Sequence, residues 1–245
     1  MSEGRIRRIS AALVLALVLG TGAGVPSSGV QAAASYELDL YRPGDFVSQT
    51  NLVQCVGASM QMMINMMASQ DDRTGTTQRE LWLLARSFRT IPNPNRQRKG
   101  ASVWGWSKGL DSLGYGSYRV VGYDTIEEAT AAAARAISLS GKPVGLLVWA
   151  GRHAWVMSGF RATADPVQTD NYRVTHAYVL DPLYPLHSTT WGRSPEPNSR
   201  LSLDALGNYF VPRRRGRSGL MAGKYVLVMP VDAAKPRPST QALPI

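Results

Sequence analysis

The chain has 245 residues, 44% of them hydrophobic and 18% charged, and 27 Lys and Arg against 17 Asp and Glu give a formal net charge of +10. This is ordinary globular composition with enough length for one sizeable core; it excludes a charge-rich disordered chain and, at a mean hydropathy of -0.15, an integral membrane protein. The single cysteine, Cys55, excludes an intramolecular disulfide framework and any multi-cysteine zinc or iron–sulfur site built within one chain.

In chain order, Arg5, Arg7 and Arg8 precede an uncharged run from Ile9 to Gly24, whose apolar centre is about half the length of a membrane-spanning helix. Gly, Pro and Ser and the small-residue stretch VQAAAS follow. Basic, apolar and small segments in that order predict a secretory signal peptide over residues 1–34, with cleavage after Ala32 or Ala34 and a secreted or extracytoplasmic product. Those 34 residues hold three Arg and one Glu, so the remainder falls by two from +10 to +8 and stays basic. The charge is densest between Arg86 and Lys99 and at Arg213, Arg214, Arg215 and Arg217, where contact with an anionic cell-wall polymer or membrane surface is expected. No aromatic-interleaved basic motif is present, which argues against a nucleic-acid partner.

One domain is expected over residues 35–231, with a Pro-rich flexible tail at 232–245. After an extended stretch, SYELDLYRP, apolar periodicity predicts a helix from Cys55 to Ser69, with Ser59, Met62, Met63, Met66 and Met67 on one stripe. A second helix is predicted from Thr76, with Thr77 and Glu80 at capping-box spacing. A third is predicted over 102–113, ended by Gly114, and a fourth in TIEEATAAAARAISLSG, ended at Gly141. Strands are predicted at 144–150, 153–160, 172–181 and 224–231, with a further short helix near 202–210. Helices followed by strands that do not alternate with them predict an α+β protein, its helical half packed on one side of an antiparallel sheet.

A lone cysteine in an exported chain is a reactive thiol, an intermolecular partner or a small buried hydrophobe. Cys55 stands where the loop SQTNLVQ hands over to a helix, and unsatisfied N–H groups at a helix start lower a thiol pKa. His153 opens a predicted strand just after a turn at Gly151-Arg152, and Asp181 ends the next one, so antiparallel neighbours would bring imidazole and carboxylate together. Taken singly, His153 also reads as a half-buried strand histidine, and Asp181 as a turn residue before Pro182. His153, His176, His187 and Asp181 lack any short ligand spacing and no nucleotide-binding glycine pattern is present, so neither a metal nor a cofactor is expected.

Gln49, then Cys55 with the following GAS and MQMMINMM, then HAWVMSGF, then YVLDP, resembles papain-like cysteine peptidases of the bacteriocin-processing, double-glycine-leader type and their stand-alone secreted relatives, over roughly residues 45–185. The resemblance implies a papain-like fold and an activity, cleavage of a peptide or protein substrate. It implies Cys55 as nucleophile, Gln49 in the oxyanion hole, His153 as base and Asp181 as its orienting carboxylate. The chain departs from the family in Val56 and Arg152, where glycine is more usual, and in a longer His-to-Asp connection. An idle papain-like domain that binds peptide or wall polymer, and a peptidoglycan stem-peptide amidase or transferase, are the alternative readings; a monomer is the default.

Overall fold

The computed structural model describes residues 35–88, 99–214 and 221–231. The readings of residues 1–34 and of the tail at 232–245 fall outside the described residues, as do Arg215, Arg217 and most of the basic stretch between Arg86 and Lys99. Among the described residues no helix is long and apolar enough to cross a membrane.

The first strand, β1 (Tyr36–Asp39), leads through a loop to α1 (Cys55–Ala68), α2 (Gly75–Ser87) and α3 (Val103–Ser112). Every residue of α1 from Val56 to Met66 is buried, more than the single stripe expected, because α2, α3 and the sheet enclose it. The helices approach closely where glycine removes a side chain. A Cβ on Gly105 would stand 1.9 Å from the Ala85 carbonyl oxygen, and one on Gly57 would stand 2.6 Å from that of Gln78. Helix α2 starts at Gly75, one residue before its predicted start at Thr76. Thr74 is the N-cap, accepting from the Thr77 N–H, while Thr77 turns its own hydroxyl to Asp72 at 2.6 Å.

Strand β2 (Tyr118–Tyr123), which the apolar pattern does not announce, separates α3 from α4 (Ile126–Ser140). Helix α4 has the expected boundaries: Thr125 and Glu128 close a reciprocal capping box, and Gly141 ends it at φ 67°. Then come β3 (Val144–Val148), β4 (His153–Ala162), β5 (Val174–Leu180), the small pair β6 (His187–Ser188) and β7 (Gly192–Arg193), β8 (Ser199–Ser202), α5 (Leu203–Gly207) and β9 (Tyr225–Pro230).

Seven strands form one antiparallel sheet in the order β2-β9-β3-β4-β5-β8, with β1 paired to the far half of β4. The pleat divides the core in two. Ala154, Val156, Val226 and Val228 face α1, α2 and α3, whereas Leu146, Trp155, Met157 and Leu227 face α4 and α5. The protein is therefore a mixed α+β structure with N-terminal helices and a largely C-terminal antiparallel sheet. The fourth helix covers the face opposite the first three, so helices line both sides rather than one. Gly145 lets the Trp106 ring lie flat on the sheet, since a Cβ there would come within 2.5 Å of it.

Candidate active site

Cys55 is the first residue of α1, and its N-cap, Gln54, makes no side-chain cap, so the first-turn N–H groups are not covered by a capping oxygen from that residue. No acidic residue stands in that turn to offset its positive end. The thiol is partly exposed. The loop before it is tied on two sides. On one, the buried Gln78 of α2 accepts from the Thr50 N–H at 2.7 Å and donates to the Ser48 carbonyl at 2.9 Å. On the other, the Gln49 N–H donates to the Pro182 carbonyl at 2.7 Å, and the Ser48 hydroxyl to that of Tyr184 at 2.5 Å. The loop that carries the thiol is thus bonded directly to the segment that follows Asp181.

Sheet register accounts for the meeting of His153 and Asp181. Leu180 pairs with Val156, which sets Asp181 beside Trp155 and diagonal to His153 on the same side of the pleat. Imidazole Nε2 lies 2.7 Å from Asp181 Oδ1, and the Leu183 N–H donates to the same oxygen at 2.8 Å. Asp181 is wholly buried, and among the described residues its Oδ2 has no hydrogen-bond partner. Cys55 lies near enough to the ring to act on its titration. With Nε2 held by Asp181, Nδ1 is the nitrogen left for the thiol. Burial pulls the His153 pKa down, but the bond to Asp181, the nearness of Cys55 and the negative charge of both outweigh it, pushing the value up to about 9.

The structure thus joins His153 to Asp181 by a direct bond, with Cys55, at the start of α1, near enough to act on the ring's titration. Gln49 is on the same loop, but its amide Nε2 donates at 2.8 Å to the Asn51 carbonyl, and its Oε1 is buried without a partner among the described residues. His176 and His187 lie elsewhere, on β5 and β6. Among the described residues no group of three or more His, Cys, Asp or Glu is placed to hold a metal ion.

Two residues at the site, Trp149 and Gln78, have no forerunner in the sequence reading, and a third, Arg213, entered it only as part of a basic cluster. Strand β3 ends at Val148, two residues short of expectation, because Trp149 and Ala150 turn into the left-handed region at φ 57° and 53°. The Trp149 indole then stacks on the His153 ring, centroids 4.1 Å apart. Gln78, buried in α2, organises the loop before Cys55. Arg213 lies against Gly151 in the turn before His153, with its guanidinium 5.7 Å over the Trp104 ring of α3. Only the turn was legible, from Gly151 itself.

Comparison with protein-family models gives no match, and comparison with curated proteins gives none either.

Proposed function

We propose that the chain is a thiol hydrolase, a cysteine peptidase of papain-like type acting outside the cytoplasm. The observation that carries this reading is the imidazole of His153 bonded to the buried carboxylate of Asp181, with Cys55 at a helix start acting on the same ring. In the reaction, the Cys55 proton is already held on His153 Nδ1 when the thiolate attacks the substrate carbonyl carbon. The oxyanion is met by the Cys55 N–H and by the Gln49 amide proton not given to Asn51. His153 returns its proton to the departing amine nitrogen as the C–N bond breaks, leaving a thioester. Water, deprotonated by His153, then displaces the thiol and releases the acid. Asp181 holds the ring in orientation. Arg213, Arg214, Arg215 and Arg217 are the basic residues we assign to contact with an anionic surface.

The test is a peptide-library digest with wild type and Cys55→Ala in parallel, accompanied by iodoacetamide labelling near pH 6. Cleavage lost in Cys55→Ala, together with labelling that is fast in wild type and slow in His153→Ala, supports the reading. Labelling that is slow in wild type and indifferent to His153 means Cys55 is a structural thiol and ends it.

A further inference from the structure

We propose that Trp149 is a positioning residue for His153: the left-handed turn after β3 serves to lay an indole face on the imidazole and so to favour its protonated form in place. The inference rests on the thiol-hydrolase reading above, and three observations on the molecule support it.

The first is conformational. Trp149 and Ala150 both have positive φ, at 57° and 53°, before Gly151 at 92°. A bulky non-glycine residue in that region is strained and persists only where its surroundings hold it. What holds Trp149 is its own N–H, which donates to the Tyr209 carbonyl at 2.8 Å, and the Trp191 ring, parallel to its indole within 3°. An ordinary four-residue connection with glycine at these positions would join Val148 to His153 without strain, but would carry no ring.

The second is the stack. The indole and imidazole planes are 23° apart with centroids at 4.1 Å, and both side chains are nearly buried, at 9% and 4% exposure. The indole face carries the negative part of its quadrupole, so it favours imidazolium over imidazole, and more so away from water. The third is what else surrounds the ring. Its titratable neighbours are Asp181, after β5, and Cys55, at the start of α1. The cations near the turn, the exposed Arg152 and Arg213 from the segment before β9, carry the opposite preference. One face of the ring is therefore covered by a group that is apolar, uncharged and still selective for the protonated state.

The experiment compares Trp149→Phe with Trp149→Leu. Both keep apolar cover over the ring, and only phenylalanine keeps a π face. In full-length protein with isotope-labelled histidine, the His153 resonance is assigned by its loss in His153→Ala, and its titration midpoint is read by NMR. The midpoint in Trp149→Leu should fall, its imidazolium becoming about three- to tenfold more acidic, while Trp149→Phe stays close to wild type. Equal midpoints in the two variants reduce Trp149 to a space-filling residue and overturn the proposal. A measurement on wild type alone guards against misfolding: the His153 ring protons should be shifted upfield by the indole, and their absence from the upfield region also overturns it. Iodoacetamide labelling of wild-type Cys55 is the separate arm. A slow thiol ends the hydrolase reading and this role with it, whereas a fast thiol with a leucine variant titrating like the phenylalanine one ends only the role of Trp149.

Discussion

The pKa of His153 sets the pH range in which each step of the proposed reaction can run. A ring pushed up to about 9 by Asp181 and Cys55 is still protonated at neutral pH and can give its proton to a leaving amine. The alkaline limb of turnover should therefore lie near 9 rather than near the ordinary histidine value. Asp181→Asn keeps an oxygen for the Leu183 N–H but removes the charge that favours the imidazolium, so this limb should move down in pH. Turnover at neutral pH should fall on the order of 10². A pH–rate profile of the two proteins decides it, and a limb that stays in place would detach Asp181 from the titration. Gln49 acts at a different stage. Gln49→Ala should leave Cys55 labelling fast while turnover drops about 10²- to 10³-fold, the usual cost of one oxyanion donor. Parallel labelling and kinetics separate the two effects, and slowed labelling would place Gln49 in the activation of the thiol instead.

At the scale of elements, the site depends on a buried side chain of α2 that touches none of the reacting groups. Gln78→Ala removes the bonds to the Thr50 N–H and the Ser48 carbonyl, each worth about 0.5–1.5 kcal/mol. Urea unfolding should register that loss, and Cys55 labelling should slow because the loop that presents the thiol loosens; stability that falls with labelling unchanged would restrict Gln78 to packing. Gly105→Ala is the contrasting case. It drives a methyl against the Ala85 carbonyl, so α3 must move off α2, at a cost of about 1–3 kcal/mol or more. These dependencies also mark what the sequence made legible. Helix α4 could be read to the residue because Thr125, Glu128 and Gly141 are local signals whose partners lie within the same helix. The order Cys55, His153, Asp181 was visible because a helix start, a turn and a strand end each leave a local trace. Gln78 and Trp149 were not visible, since their roles are set by partners far along the chain or by a backbone twist that no glycine announces. Strand β2 is defined by its pairing with β9, more than 100 residues later, and its short YRVVGY pattern could not reveal that partner. Thr77 has capping-box spacing to Glu80, but Asp72 takes its hydroxyl, and only the folded loop shows that competition.

For the molecule as a whole, the sheet is the element common to both halves of the core. Strand β4 turns Ala154 and Val156 toward α1, α2 and α3, and Trp155 and Met157 toward α4 and α5, so neither helical layer can leave without exposing one face of the same strand. The wholly buried Trp106 and Trp155 sit on opposite faces of it. Truncating either to alanine removes a large buried ring and should cost about 3–5 kcal/mol. If the sheet couples the layers, both losses should appear in the global unfolding free energy and not in one layer alone. Hydrogen exchange of the native protein tests this directly. The slowest amides of α1 and of α4 should exchange through the same global opening, and Trp155→Ala, made on the α4 face, should speed both sets by the same factor. Exchange that accelerates in α4 while α1 keeps its protection would mean that the layer carrying Cys55 is stable by itself. In that case the geometry of the thiol would not depend on the packing behind the sheet. With coupled layers, a cavity behind Trp155 should also raise the population in which His153 and Asp181 part, because both residues sit on strand ends whose register that packing maintains.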